Sequence, residues 1–301
     1  MPEKFSRKKR VNLIKQIEQK RESKLLVYFC ADRPPHGVGS QISSDAIRPL
    51  YDHLLDIAPN KLKKLDLFLY SIGGMVEVPW RIVNMLREFC EKFAVTIPYR
   101  AYSAATLIAL GADEITMGRK GELSPIDPTL HSVMPLPGSG QLMPVEFGVE
   151  DISSYLTFIK EVSGLTDQSA LAQSITLLGD KISPPILGSI QRMHSHIRLI
   201  ARKLLSLRKP PIEEGRLTSI VQDLTEKIYA HGHGIGRQEA KEIGIQIGEY
   251  PEPSLEELIW KLYLCYEDFF NLNGTQDPEG YFANDSEDEH IEDNWDIACI
   301  E

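Results

Sequence analysis

Between residues 65 and 117 the chain alternates short apolar runs with helix-forming stretches, and this alternation constrains its fold more than any other feature. Residues 65–70 read as a strand, Ser71-Ile72-Gly73-Gly74 as a turn, and 76–91 as a helix. Residues 93–97 read as a second strand, 100–103 as a turn, 104–111 as a short helix of small residues, and 114–117 as a third strand. Strands that alternate with helices build parallel βαβ units. In such folds ligands sit at the carboxyl ends of strands, beside helix N-termini. Gly73-Gly74 and Ser103 both fall at such positions.

The flanking sequence extends the pattern. Residues 11–24 form a charged helix, the apolar run 25–29 reads as a buried strand, and 33–41, with two Pro and two Gly, as a loop. A helix over 44–55 places Ile47, Leu50, Leu54 and Leu55 on one face, with Pro49 inside its first turn. After Leu130 the character changes. Residues 131–147 read as a loop, because Pro135, Pro137, Gly138, Gly140 and Pro144 fall within them. Helices then dominate, over 149–162, 167–178, 185–207, 216–228 and 237–243, with a short strand at 245–247. Ser254-Leu255-Glu256-Glu257 has the form of a capping box. It opens a helix in which Leu255, Leu258, Ile259, Leu262, Tyr266 and Phe269 share a face. The implied organisation is a charged N-terminal helix (1–24), an α/β domain (25–250), a C-terminal helix (251–274) and an acidic, flexible tail (275–301).

Charge supports that division. The formal net charge is −10. The tail holds ten acidic residues and no Lys or Arg, which leaves a body whose Asp and Glu balance its 33 Lys and Arg. A neutral body without a basic stripe argues against a nucleic-acid partner. The four cysteines, Cys30, Cys90, Cys265 and Cys299, form no C-x-x-C pair, so neither a zinc site nor a disulfide framework is expected. No apolar run is long enough to span a bilayer, and no signal-type stretch follows the basic start. The expectation is a cytosolic protein with reduced thiols and no membrane span.

Two loops can carry chemistry. Paired glycines at Gly73-Gly74, between a strand and a helix, let backbone N–H groups face a cleft and bind an anion or a developing oxyanion. The same glycines also suit a plain tight turn. Ser103 ends a strand and opens a helix of small residues, where the positive helix end favours an alkoxide. A plain N-cap serine fits that position equally well. His231-Gly232-His233 is an H-x-H pair of a kind that can ligate zinc, but nothing completes a recognised spacing, so a turn is the simpler reading. His194 and His196 lie two apart on a helix and do not face each other.

Taken together the loops are more specific. Ile72-Gly73-Gly74, Ser103-Ala104-Ala105-Thr106, Ala112-Asp113-Glu114-Ile115 and Leu123-Ser124-Pro125-Ile126-Asp127-Pro128 follow in order. This series resembles the serine dehydrogenase proteinase family of the ClpP/crotonase superfamily, related to signal peptide peptidase A and the Clp proteolytic subunit. The resemblance covers roughly residues 10 to 250, with His231-Gly232-His233-Gly234-Ile235 and 239–244 resembling a C-terminal signature. Ile72 stands where the family usually has Pro, and Ala105 and Ser124 where it usually has Gly. The resemblance implies a ClpP/crotonase-like core of ββα units with a helical, oligomer-forming C-terminal part. It implies a serine peptidase without cofactor, acting on a peptide or protein substrate. Ser103 would be the nucleophile, with backbone N–H groups at Gly73, Gly74 and Ala104 as the oxyanion hole.

A serine hydroxyl needs a base. Lys181, in Gly179-Asp180-Lys181-Ile182-Ser183-Pro184, resembles the lysine-bearing segment of signal peptide peptidase A, and a desolvated lysine can act as a neutral base. Asp127 lies about where the Clp subunit has its histidine and suits orienting a lysine. His131 has the better pKa for a base but lies just past the motif. A Ser103–Lys181 dyad supported by Asp127 is the reading carried forward. Its rivals are a crotonase-type acyl-CoA enzyme and a non-catalytic oligomeric scaffold.

Overall fold

The computed structural model describes residues 6–31, 40–126, 129–135, 142–148, 151, 154–155, 157–162, 167–182, 184–227, 232–270, 272 and 298–300. In chain order the first elements are α1 (Arg7–Arg21), β1 (Lys24–Cys30), α2 (Ile47–Ile57), β2 (Leu62–Tyr70), α3 (Val78–Glu88) and β3 (Cys90–Ile97). Next come β4 (Arg100–Ala101), α4 (Ala104–Leu110), β5 (Glu114–Met117) and β6 (Glu122–Leu123). The hairpin strands β7 (Thr129–Pro135) and β8 (Leu142–Gly148) follow. The remainder is α5 (Gln168–Lys181), α6 (Pro184–Ser206), α7 (Glu214–Gln222), α8 (Arg237–Ile243), α9 (Pro253–Phe269) and β9 (Ala298–Ile300).

The main sheet has the order β5-β3-β2-β1-β9. Its first four strands are parallel, and β9 adds antiparallel to β1 across Tyr28–Cys30. Strands buried on both faces read as continuous apolar runs, and β1 from Leu25 to Cys30 and the end of β2 from Leu67 to Tyr70 do. Leu26, Tyr28, Leu65, Leu67 and Leu69 face one core, with α2, α3, α4 and α6. Leu25, Val27, Phe29, Phe68 and Tyr70 face the other, beneath α1 and α9. The expected α/β architecture with parallel strands and a helical C-terminal part is the one found.

Two local expectations are corrected. Residues 131–147 are not a loop: β7 and β8 pair antiparallel from Thr129↔Gly148 to Pro135↔Leu142. Pro135 and Pro144 stand within the paired strands, and Pro137, Gly138 and Gly140 lie outside the described residues. The capping box does not form. Pro253 opens α9 one residue before Ser254, Glu252 takes the N-cap place, and the Ser254 hydroxyl donates to the Glu252 carboxylate (2.5 Å). Pro suits the first helical position because its missing N–H would be unpaired there. Pro49 is tolerated for the same reason: a 3₁₀ turn, Ser44–Ala46, leads into α2, so Pro49 sits in its first turn. Within the helix expected over 149–162, the described residues 151, 154, 155 and 157 are α-helical and Phe158–Val162 form a π-helical turn. The acidic tail lies outside the described residues except for β9 at its end.

Candidate active site

The Gly-Gly turn is clamped on both sides. On one side Ile42 pairs with Gly74: its N–H donates to Gly73 O (2.8 Å) and its carbonyl accepts from Met75 N–H (2.8 Å). On the other, Ser71 pairs with Ala101, with Ser71 N–H donating to Arg100 O (3.1 Å) and Tyr102 N–H to Ser71 O (2.9 Å). The turn at the end of β2 is thereby held edge to edge with the loop that carries Ser103. Both glycines are required. Gly73 has φ 121°, and a Cβ there would lie 2.8 Å from Ser103 Cβ and 3.3 Å from Ser103 Oγ. Gly74 has φ 150°, and its Cβ would lie 2.3 Å from the Ile42 carbonyl oxygen. Positive φ and close approach are the two conditions that glycine alone meets without cost.

Ser103 holds φ 50° and ψ −111°, and besides Glu22 it is the non-glycine residue with positive φ among the described residues. Conformations of this kind cost on the order of 1–3 kcal/mol and persist only where the surroundings impose them. Ser103 takes the N-cap position of α4, yet its side chain makes no capping bond. A capping serine would spend its oxygen on an N–H of the first helical turn. Here the hydroxyl is left half-exposed against Gly73. Gly73 N–H donates to Ser71 Oγ (3.0 Å). The N–H groups of Gly74 and Ala104 have no hydrogen-bond acceptor among the described residues.

A buried hydroxyl pair fixes the backbone around the serine. Ser103 N–H donates to Ser124 Oγ (2.7 Å), which donates in turn to Pro125 O (2.8 Å). Ser124 N–H donates to Thr106 Oγ1 (3.1 Å), and the Thr106 hydroxyl donates to Ala101 O (2.8 Å). Strands β4 and β6 bring these segments together through Arg100↔Glu122 and Ala101↔Leu123. The same element binds the distal signature segment. Ile235 bridges Leu123, and Gly234 lies against Tyr102 and Glu122. Tyr102 donates to Glu122 Oε2 (2.6 Å). Burial and then this hydrogen bond to Glu122 push its phenol upward, so Tyr102 is a fixed neutral donor. Cys30 is buried behind the turn, and burial raises its thiol pKa.

The structure therefore brings Ser103, Gly73, Gly74 and Ala104 together. Lys181 is the last residue of α5, with its backbone described and its side chain outside the described residues. Asp127 lies outside the described residues. His131 sits on β7, its side chain likewise outside them. His231 lies outside as well, and His233 pairs with Glu239 (2.8 Å). Among the described residues no cluster of three or more His, Cys, Asp and Glu is placed to hold a metal ion. No helix among them is long and apolar enough to cross a membrane. Sequence reasoning missed Ser71, Thr106 and Ser124 as site-shaping residues. Ser124 registered as a change from glycine, which was the one available signal.

Curated relatives are distant. An uncharacterized protein of Methanocaldococcus jannaschii is 26 % identical over 218 residues, 72 % of this chain and 64 % of its own length, so the chain spans less than two thirds of that relative. A second uncharacterized protein of the same organism is 21 % identical over 259 residues, covering 83 % of this chain and 75 % of that protein. Similar solved structures include a mutant of the 1510-N membrane-bound stomatin-specific protease, at 14 % identity and TM-score 0.42 over 72 % of this chain and 79 % of that one. They also include a ClpP1 mutant from Listeria monocytogenes, at 13 % identity and TM-score 0.40 over 79 % and 99 %. The model of the ClpP-like SDH-type serine proteinases matches residues 1–163, more than half of the sequence and both the Gly73-Gly74 turn and the Ser103 loop, and the chain belongs to that family.

Proposed function

We propose that this protein is a cytosolic, homo-oligomeric serine peptidase that hydrolyses peptide bonds through an acyl-enzyme on Ser103. The observation that carries the reading is a serine in strained backbone at a helix N-terminus whose hydroxyl caps nothing and faces Gly73. Ser103 Oγ attacks the scissile carbonyl carbon while its proton passes to the neutral amine of Lys181. Gly74 and Ala104 N–H, which lack acceptors among the described residues, receive the tetrahedral oxyanion, and Gly73 supplies the clearance. The C–N bond then breaks, and the lysine returns the proton to the leaving amine. A water, deprotonated by the same lysine, attacks the acyl carbon and releases the new carboxylate and Ser103. Asp127 orients the lysine.

Oligomerisation is supported by the apolar side chains left in solvent near and on α5. Phe158, Ile175 and Leu177 are 55 %, 55 % and 62 % exposed, and exposed apolar surface is commonly covered by subunits. The test is fluorophosphonate labelling of the full chain. Wild type is expected to label and Ser103→Ala to lose both labelling and peptide cleavage while remaining folded. Lys181→Met keeps the apolar stem and removes the amine, so it should abolish turnover. With lysine as base, activity should climb with pH through the lysine ionisation rather than around 6.5, where a histidine base would bring it up. Cleavage at the wild-type rate by Ser103→Ala would overturn the assignment.

A further inference from the structure

We infer that Ser124 is a positioning residue for Ser103. Its hydroxyl holds the Ser103 backbone in the conformation that keeps the Ser103 side chain off the helix and against Gly73. The inference rests on Ser103 being the nucleophile.

The bonding pattern assigns this role. Ser124 is 1 % exposed and Thr106 fully buried, so neither hydroxyl can exchange its partner for water at little cost. A hydroxyl has one proton. Ser124 uses it on Pro125 O, which leaves its oxygen free to accept, and the group that reaches it is Ser103 N–H at 2.7 Å. The Thr106 hydroxyl donates to Ala101 O and accepts from Ser124 N–H. Two chains of hydrogen bonds thus cross-link the residue before the turn, the nucleophile's amide, the first turn of α4 and the end of β6. Ser103 takes φ 50° and ψ −111° between them. In ordinary N-cap geometry its oxygen would turn onto the helix amides. Holding the amide of Ser103 outward, onto Ser124, forbids that turn.

Glycine at position 124 offers no such acceptor, so the serine that departs from the family pattern adds a restraint to the site. Ser124 touches neither the scissile bond nor the oxyanion. Its effect is on placement of the attacking oxygen, where a displacement of about 1 Å can cost on the order of 100-fold in rate.

The experiment uses the full chain and two readouts. In Ser124→Ala, the rate constant of fluorophosphonate inactivation should fall on the order of 10- to 100-fold, with the half-saturating concentration and the circular dichroism unchanged. Ser124→Thr restores the acceptor and should recover most of the rate. Amide hydrogen exchange at Ser103 reads the bond whether or not the serine reacts, and should accelerate in Ser124→Ala and not in Ser124→Thr. Unchanged exchange in Ser124→Ala, or labelling at the wild-type rate, overturns the inference. Equal loss in Ser124→Thr also overturns it, since volume rather than the hydroxyl would then matter. A wild-type chain that never labels defeats the nucleophile reading instead, and the exchange result still decides the bond.

Discussion

The two faces of the sheet are packed by different means. Beneath α1 and α9 the filling is aromatic. Phe29 stacks on Tyr70 (4.4 Å between ring centroids), on Tyr266 (5.1 Å) and on Phe270 (5.6 Å), and Trp260 stacks on Tyr263 (4.8 Å). Arg10, itself buried, lies over the rings of Tyr266 and Phe269. On the opposite face the helix that carries Ser103 is built of Ala104, Ala105, Thr106, Ala109 and the aliphatic Leu107, Ile108 and Leu110, all buried. Large rings fill space with few side chains, whereas small residues let backbones approach. The first face serves cohesion. The second allows Ile42, Gly73, Gly74, Tyr102 and Ser103 to lie at contact distance, which any reactive arrangement in this cleft needs.

This contrast is open to direct attack, and the largest effect belongs to the aromatic face. Phe29→Ala removes the ring at the centre of the stack and leaves a cavity with rigid walls. The expected loss is about 3–5 kcal/mol, visible as a lower midpoint in urea with little change in the labelling rate of the molecules still folded. A loss below about 1 kcal/mol would mean that the face collapses around the gap. On the other face the expected signature is inverted. Gly73→Ala places a methyl 2.8 Å from Ser103 Cβ at φ 121°, so something must shift. Stability should fall by about 1–3 kcal/mol, while labelling of Ser103 should nearly vanish. If Gly73→Ala labels like wild type, the close approach of turn and serine is not part of the reaction.

The two faces were also unequally legible in the sequence. Strand β1 and the last four residues of β2, Leu67–Tyr70, announce themselves, because a strand covered on both sides reads as an apolar run. The Gly73-Gly74 turn and the Ser103 helix start were readable from residue type and position. Which residues press on them was not. Ile42 reaches Gly74 with α2 and β2 between them in the chain, and Ser124 reaches the Ser103 amide from 21 residues away. Such pairings are set by how segments distant in sequence meet, as β4 meets β6 beside Ser124, and neither residue type nor local period encodes that. The hairpin β7–β8 was hidden by its own prolines, which read as loop but stand within the paired strands. The capping box failed because Pro253 claimed the helix start one residue early. Charged clusters were invisible for the same reason as Ser124: Arg21, Asp66 and Glu114 come from three separate elements.

That cluster gives the smallest of the expected effects and one with a definite sign. It seals the aromatic face at the edge where α1 ends. Arg21 bonds the buried Asp66 (2.6 Å) and Glu114 (3.0 Å), and Lys64 and Lys92 add 3.3 Å and 2.5 Å contacts to Glu114. Thr96 donates to the other Asp66 oxygen (2.9 Å). Burial by itself would raise the pKa of Glu114. The hydrogen bond from Lys92 and the charges of Arg21, Lys64 and Lys92 outweigh it and hold the group at about 2, against an ordinary 4.5. A carboxylate whose pKa is lower in the folded state adds stability that is fully present above 4.5 and is lost as pH falls through about 2. Glu114 is partly exposed, so screening reduces the contribution to on the order of 1 kcal/mol. Unfolding midpoints of wild type and Glu114→Gln, compared at several pH values, isolate this group from the other carboxylates. The gap between the two proteins should be widest near neutral pH, narrow below pH 4.5, and shrink under high salt. A gap that stays constant down to acid pH would assign the cost of the substitution to lost hydrogen bonds alone and remove charge from the account of how this edge is sealed.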